Sequence, residues 1–442
     1  MIKYLCLLDE NSQIPNSLDY DDVIILNETK QCHYDYFSIN HLKFYRTFGT
    51  FIQTEAIDLL NISLFVYFAD KLVERSKAFD SWTRSIKLIL PVYSIDKFDN
   101  NKHIFVELLS YLSGDHWELE FYKRTYTEIE EHENYTNNVI EAVKPHFTSI
   151  SMLSGGLDSY IGAIDLLENR MQYPLFISVY GGGNDVTPYQ KKVKELLKEK
   201  YNLDDLNFLS FHAKALHPLE QSTRTRSFMF FSHAIAVSTL CEDVSEIIIP
   251  ENGFISLNVP LTNSRLGSSS TRTTHPYYMN LLNQITGCLG IGVRLVNPYQ
   301  FKTKGEMITE CNNNDFLEST LHITMSCSHS SHSRWTQDSM SSHCGYCVPC
   351  VIRRAAINYA RITDKSIYRT ENIKINKSYM SDTVYANLNS FKFALEKFKN
   401  KNQYGFDIQI SGPLGDNIQE YIGIYKRGME EILALFKRYD NE

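Results

Sequence analysis

Apolar runs and helical spacings alternate through the middle of the chain. Short apolar runs at 147–153 and 174–180 predict buried strands, and further strands are predicted at 206–211 and 246–250. Between them apolar residues recur at helical spacing, as at 188–201. Repeated strand–helix units predict an α/β fold with a parallel, doubly wound sheet. Ligands of such sheets lie at the carboxyl ends of the strands.

The residues before this region have a more mixed pattern. The predicted elements are helices at 51–75 and 104–112 and strands at 82–91 and 117–124. In the last strand Trp117 and Leu119 alternate with Glu118 and Glu120, which is typical of a strand with one buried face. We therefore predict an N-terminal α+β domain over residues 1–145, followed by a strand–helix domain at 146–320.

A glycine turn follows the first strand of the second domain. The turn and the residues after it are Ser154, Gly155, Gly156, Leu157, Asp158 and Ser159. Helical spacing begins directly afterwards. Glycines let backbone N–H groups approach an anion, and a helix N-terminus adds partial positive charge. The sequence therefore predicts a phosphate cradle, although an ordinary strand-to-helix connection stays open. No Gly-Lys-Ser/Thr follows, so the Walker pattern is absent.

Further polar residues follow the other strands or begin the next helices. Tyr180 and Gly181 end the second strand, where a flat ring could lie against glycine backbone. Arg226, with Arg224 nearby, begins an apolar helix and suits a phosphate or carboxylate. Arg272 belongs to a Gly/Ser/Thr-rich stretch that suits a mobile lid, or a plain surface loop.

Two lysines precede a further predicted helix. Lys302 and Lys304 could neutralise a leaving pyrophosphate, whereas lysines at helix starts are usually only solvated.

Composition limits the classes of partner. The chain has 442 residues, 43% hydrophobic residues and a net charge of −8, so no general attraction to nucleic acid or anionic membranes is expected. No apolar run reaches membrane-spanning length, and no signal peptide is predicted at the first residues. We expect a cytoplasmic protein with no membrane partner.

Four of the nine cysteines crowd into a short segment at 321–360. They are Cys327, Cys344, Cys347 and Cys350. Two residues between neighbouring cysteines let both thiolates reach one ion, and a fourth thiolate completes the tetrahedron that zinc prefers. We predict a structural zinc site, with an iron–sulfur cluster as the alternative. A helical tail is predicted at 361–442.

The glycine turn followed by the cysteine cluster resembles the QueC-like PP-loop ATP pyrophosphatases, the family of 7-cyano-7-deazaguanine synthases. The resemblance rests on residues 154–159, the Lys-Thr-Lys-Gly-Glu segment at 302–306, and Cys327 with 344–354. It implies a PP-loop fold that binds ATP and Mg²⁺ with structural Zn²⁺. It further implies adenylation of a 7-deazaguanine-type carboxylate, which is then coupled to an amine.

The length points within this family to the longer QueC-like proteins of the Qat antiphage defence systems. That likeness implies a partner protein of the same operon as a possible amine acceptor. It assigns pyrophosphate binding to 154–159, Mg²⁺ binding to Asp158, and charge neutralisation to Arg226, Lys302 and Lys304. The alternatives are a synthase that uses ammonia, a tRNA-modifying PP-loop enzyme, and a nucleotide-binding scaffold without turnover.

Overall fold

The structure is a computed structural model, and it describes most of the chain. The described residues are 1–14, 18–27, 34–36, 51–126, 146–180, 187–215, 217–262, 272–330, 342–375, 377–378, 380–401 and 403–441. Within them the protein is α/β and contains two sheets built mainly from parallel strands. None of the described helices is both long enough and apolar enough to cross a lipid bilayer.

The first sheet lies within the N-terminal 126 residues. It has the order β2-β1-β4-β5, formed by β1 (Ile2–Asp9), β2 (Asp22–Asn27), β4 (Ser85–Val92) and β5 (His116–Lys123). All its neighbouring strands are parallel. The α+β prediction for this part was therefore wrong. The alternation of apolar and charged residues in β5 does reflect one buried face. A parallel strand at the edge of a sheet with one exposed face shows the same alternation, so the pattern does not identify an antiparallel sheet.

Three helices cover the buried face of this sheet. They are α1 (Thr54–Leu72), α2 (Ile95–Asn100) and α3 (Lys102–Ser113). Almost every side chain of α1 is buried, because α1 packs on the first sheet on one side and on the second domain on the other. One continuous apolar core consequently extends through both sheets.

The second sheet carries the glycine turn. Its order is β10-β9-β6-β7-β8-β3, formed by β3 (Tyr34–Tyr36), β6 (Ser149–Met152), β7 (Pro174–Tyr180), β8 (Phe208–Ala215), β9 (Glu246–Ile248) and β10 (Arg294–Val296). Five strands are parallel, and β3 joins β8 antiparallel at the edge. The chain runs from β6 through β7 to β8 and then returns to place β9 on the other side of β6. The connections after β6 and β9 thus flank a topological switch point, where ligands of open α/β sheets bind.

Helices connect and cover these strands. They are α4 (Leu157–Glu168), α5 (Thr187–Tyr201), α6 (Arg226–Ser238), α7 (Gly253–Ser256), α8 (Pro276–Cys288), α9 (Lys304–Thr309) and α10 (Asn314–Thr320). Close packing of α4 depends on Gly162, since an added Cβ there would lie 2.4 Å from the ring of Pro250.

The C-terminal part is helical, as predicted. It contains α11 (Val348–Ala360), α12 (Asp382–Lys399), α13 (Gly405–Ile408) and α14 (Ile418–Asn441). α14 packs on α11 and α7, so the tail joins the domain that carries the glycine turn. These helices share a second apolar core.

Candidate nucleotide site and metal centre

The glycine turn joins a buried strand to a helix start. Gly155 has a φ of +82°, a left-handed conformation that favours glycine. The hydroxyl of Ser159 accepts a hydrogen bond from the backbone N–H of Ser154 at 3.2 Å and donates one to the carbonyl of Gly156 at 3.1 Å. These bonds fold the turn over the first turn of α4. The turn thus lies at the N-terminal end of α4, where the helix contributes partial positive charge that attracts an anion.

The Asp158 carboxylate is buried and is contacted from two other connections of the fold. Its Oδ1 accepts a hydrogen bond from Lys304 Nζ. Its Oδ2 accepts from the backbone N–H of Asn252 at 3.1 Å and from Asn252 Nδ2 at 2.7 Å. Burial alone would raise the pKa of Asp158, but the charge of Lys304 and the hydrogen bonds from Glu251, Lys304 and Asn252 together outweigh it, and the pKa falls to about 2. The ionised carboxylate therefore holds an ammonium beside the glycine turn.

Glu251 adds a second carboxyl group to this cluster. Burial, followed by the charge of Asp158, raises the pKa of Glu251 well above its ordinary value. The side-chain hydrogen bond between the two carboxyl groups raises the pKa of Glu251 and helps to lower the pKa of Asp158. The opposite shifts mean that Asp158 is the stronger acid of the pair and therefore the carboxylate that faces Lys304.

Local sequence fixes the position of Lys304. Thr303 caps α9: its hydroxyl accepts a hydrogen bond from the backbone N–H of Glu306 at 3.1 Å, and the Glu306 carboxylate accepts one from the Thr303 N–H at 2.8 Å. The Thr303 hydroxyl also donates to the Glu431 carboxyl on α14. The C-terminal tail therefore helps to fix the helix start that carries the lysine.

The structure separates the other predicted cations from Asp158. Lys302 Nζ lies 2.8 Å from the Glu310 carboxylate and is partly exposed. The Arg226 guanidinium lies 4.6 Å from the centre of the Phe230 ring, and burial lowers the pKa of Arg226. Of the two predicted lysines, Lys304 is the one that the fold brings to Asp158.

The structure says less about the predicted ring-binding residues Tyr180 and Gly181. Tyr180 ends β7, with its ring 5.1 Å from the ring of His212. Gly181 lies outside the described residues.

The four predicted cysteines come together in a buried cluster that can hold a metal such as zinc. Their sulfur atoms all lie within 4.8 Å of one another. Cys327 Sγ is 4.0 Å from Cys347 Sγ, and Cys344 Sγ is 3.8 Å from Cys350 Sγ. Zinc–sulfur bonds of about 2.3 Å in a tetrahedron separate the sulfurs by about 3.8 Å. The donor set and its size therefore fit a closed, structural site.

Backbone N–H groups already point at these sulfurs. Cys327 Sγ accepts hydrogen bonds from the N–H of Cys344 at 3.2 Å and of His329 at 3.3 Å, and Cys344 Sγ accepts one from Cys347 at 3.3 Å. Side-chain donation from Cys327 also lowers the pKa of the Cys344 thiol. At Cys344 both features favour thiolate, the form that binds a metal ion, whereas hydrogen bonding to Cys327 and Cys344 raises the pKa of Cys347 and Cys350.

The residues just before Cys327 contact the glycine turn. The backbone N–H of Met325 donates to the carbonyl of Gly155 at 2.9 Å, and the Ser326 hydroxyl accepts from the N–H of Leu157 at 3.4 Å. From α5, Tyr189 packs into the cysteine cluster, while the side-chain amide of its neighbour Gln190 donates to the carbonyl of Ser154 at 3.1 Å. The metal centre and the turn are therefore neighbours held by shared segments.

Several residues of this site were missed in the sequence. Glu251 and Asn252 directly follow the strand predicted at 246–250, but nothing in the pattern assigned their side chains to Asp158. Nothing in the sequence pattern distinguished Ser326 or Glu431 from the residues around them. Searches of protein-family models and of curated protein sequences find no match to this chain.

Proposed function

We propose that the protein is a PP-loop ATP pyrophosphatase of the QueC-like type, which cleaves ATP to AMP and pyrophosphate and transfers AMP to a carboxylate. The observation that carries the proposal is the fixed Asp158–Lys304 pair beside a glycine turn at the switch point of the sheet. Because a lysine held at one place can neutralise negative charge that develops there during a reaction, this ion pair favours a catalytic role for the site.

The residues divide the work as follows. The backbone of 154–159 binds the β- and γ-phosphates, and Ser159 keeps the turn in shape. Lys304 stabilises negative charge on the leaving pyrophosphate, and Asp158 with Asn252 orients that lysine. Mg²⁺ accompanies the nucleotide and shields its phosphates. Both oxygens of Asp158 already accept hydrogen bonds, so we assign Asp158 to Lys304 and not to the metal ion.

The four-cysteine centre has a structural role in this proposal. A closed thiolate site leaves no position for water, so its bound zinc supports the neighbouring turn. The carboxylate substrate is of the 7-deazaguanine type, by the resemblance of the motifs. The amine is ammonia, or the amine of a partner protein in an antiphage defence system.

The test uses ATP labelled at the α-phosphate, Mg²⁺, 7-carboxy-7-deazaguanine and ammonium. We expect labelled AMP and a stoichiometric amount of pyrophosphate. Asp158→Ala should lower the rate by about 10²-fold or more, because Lys304 loses its anchor. The matched control is Asp205→Ala, which removes an exposed carboxylate bound to Lys194 and Lys198.

Each other result has a defined meaning. Labelled ADP in place of AMP contradicts the proposal. Binding of ATP without any turnover, with or without the carboxylate, favours the scaffold. Full activity in the Asp158 variant removes the role assigned to the Asp158–Lys304 pair.

A further inference from the structure

A second group of cations lies where the N-terminal part meets the domain of the glycine turn. Arg224, just before α6, places its guanidinium 4.7 Å from the centre of the Trp82 ring. Arg272, just before α8, lies 4.6 Å from the centre of the Tyr111 ring. Both rings belong to the N-terminal part. Two arginines of one part thus rest on aromatic rings of the other, and they are close enough for the charge of Arg272 to act on Arg224.

The acids of this region are already committed to other arginines. Arg75 donates to both oxygens of Asp115 at 2.9 Å, and Arg84 donates to Asp115 at 2.6 Å and to Asp70 at 2.5 Å. The remaining oxygen of Asp70 accepts from the Thr225 hydroxyl at 2.8 Å. Two arginines and two aspartates therefore form a balanced, closed set. That set has no acceptor left for further cations.

Among the residues that the structure describes, neither Arg224 nor Arg272 forms an ion pair with a carboxylate; the nearby Asp115 pairs with Arg75 and Arg84. Arg272 donates to the carbonyl of Tyr111 at 2.5 Å, which uses one of its five N–H groups. Burial, followed by the charges of Arg75 and Arg272, lowers the pKa of Arg224 to about 10, and the charges of Asp115 and Asp70 offset only part of this effect. A bound anion would therefore stabilise the charged form of Arg224.

We propose that Arg224 and Arg272 bind an oxyanion, a carboxylate or a phosphate group, at the junction of the two parts. Guanidinium groups match the planar oxygens of such anions with paired N–H donors, and the aromatic rings hold the guanidinium planes in place. The two arginines stand just ahead of two 13-residue helices, whose N-terminal ends add positive potential.

The site communicates with the glycine turn by a short hydrogen-bonded route. Thr274, two residues after Arg272, is 3.0 Å from the Ser256 hydroxyl, and Ser256 donates to the carbonyl of Asn252 at 3.1 Å. Asn252 in turn holds Asp158. An oxyanion bound at the junction can therefore change the position of Asp158 through the hydrogen bonds of α7. This proposal stands on its own contacts and does not depend on the reaction proposed above.

The experiment is a calorimetric titration of the full chain with benzoate and, separately, with inorganic phosphate. The variants are Arg224→Gln, Arg272→Gln and Arg224→Lys, with Arg294→Gln as the control for an exposed arginine on β10. We expect at least one oxyanion to bind, and its affinity to fall roughly tenfold or more in each Gln variant. Arg224→Lys should recover part of the affinity, and Arg294→Gln should leave it unchanged. Preference for benzoate or for phosphate identifies the carboxylate or phosphate source.

Absence of binding for both anions, or equal affinity in wild type and in both Gln variants, would overturn the proposal. Phosphate binding that disappears with Ser159→Ala but survives both Gln substitutions belongs to the glycine turn and also overturns it. Circular dichroism and thermal unfolding of each variant identify any that fails to fold, and the remaining Gln variant then decides. Arginine-dependent binding without any AMP formation would leave this site standing and remove only the proposed reaction.

Discussion

Two buried ion networks in this protein differ in what surrounds them. At the junction, Arg75 and Arg84 meet Asp70 and Asp115 among helices and strands, and the charges balance. At the switch point, Asp158 meets Lys304 beside a glycine turn and a second carboxyl group, that of Glu251, whose pKa is raised.

The comparison separates a structural network from a functional candidate. The arginines and aspartates of this network all belong to the N-terminal part and saturate one another, so the network has no capacity left for a ligand. Hydrogen bonds from Thr225 to Asp70 and from Arg75 to Ser222 attach the second domain to it. The Asp158–Lys304 pair also balances in charge, but it adjoins backbone N–H groups at a helix start, which attract an anion. Burial of an ion pair alone therefore does not identify a functional site. The backbone groups beside the pair distinguish the two networks.

The largest expected effect tests the structural network. Asp115→Ala removes the acceptor shared by Arg75 and Arg84 and leaves two buried guanidinium groups with Asp70 as their one remaining carboxylate in this network. We expect the free energy of unfolding to fall by about 3–5 kcal/mol, measured by urea denaturation. Asp99→Ala is the control, because Asp99 forms an exposed pair with Lys102. A loss below about 1 kcal/mol, the size of an exposed pair, would contradict the structural assignment.

A smaller effect concerns another buried carboxyl group, that of Glu431, where α14 contacts α9. Burial, partly offset by the Thr303 hydrogen bond, raises the pKa of Glu431 to about 7. The folded state therefore holds this proton more tightly than the unfolded state. Stability from this group is complete below about pH 4.5 and is lost as the pH rises through 7.

Glu431→Gln should remove that dependence. Relative to the variant, the wild type should lose about 2–3 kcal/mol of unfolding free energy between pH 4.5 and 7.5, measured by urea denaturation at several pH values. Glu430→Gln is the control on the exposed side of the same helix. Parallel pH curves for wild type and Glu431→Gln would show that Glu431 titrates normally.

The smallest expected effect concerns the link between the metal centre and the turn. Ser326→Ala removes one long hydrogen bond to the Leu157 N–H, and we expect a loss of about 0.5–1 kcal/mol of unfolding free energy. The control is Ser319→Ala, whose hydroxyl donates to a carbonyl on the exposed side of α10. Equal losses in the two variants would mean that the turn gains nothing specific from Ser326.

The sequence predicted secondary-structure elements and motifs better than it predicted which side chains contact one another. Periodicity placed the strand at 174–180 and the helix at 188–201 to within one residue, because long apolar patterns leave few alternatives. The cysteine cluster was confirmed as a buried four-sulfur group, because thiol spacing fixes the local geometry. β10, with only three residues, gave no detectable pattern.

The contacts between distant segments could not be predicted. Asp115 lies just before the strand predicted at 117–124, and nothing in the pattern shows that its carboxylate pairs with Arg75 and Arg84, which are 40 and 31 residues earlier in the chain. Lys302 and Lys304 looked equivalent, and only the direction in which α9 begins brings one of them to Asp158. A single sequence carries no record of which side chains meet across the fold, so such pairs need the structure.

One small element has a consequence for how the chain can be divided. Residues 34–36, far from the second domain in sequence, cover the outer strand of its sheet, with Tyr34 opposite Ala215. A fragment starting near residue 146 would expose the bare backbone of β8 together with the apolar surface now covered by α1. Open edges of this kind recruit other strands and aggregate. The smallest piece suitable for expression and crystallisation therefore retains the N-terminal part.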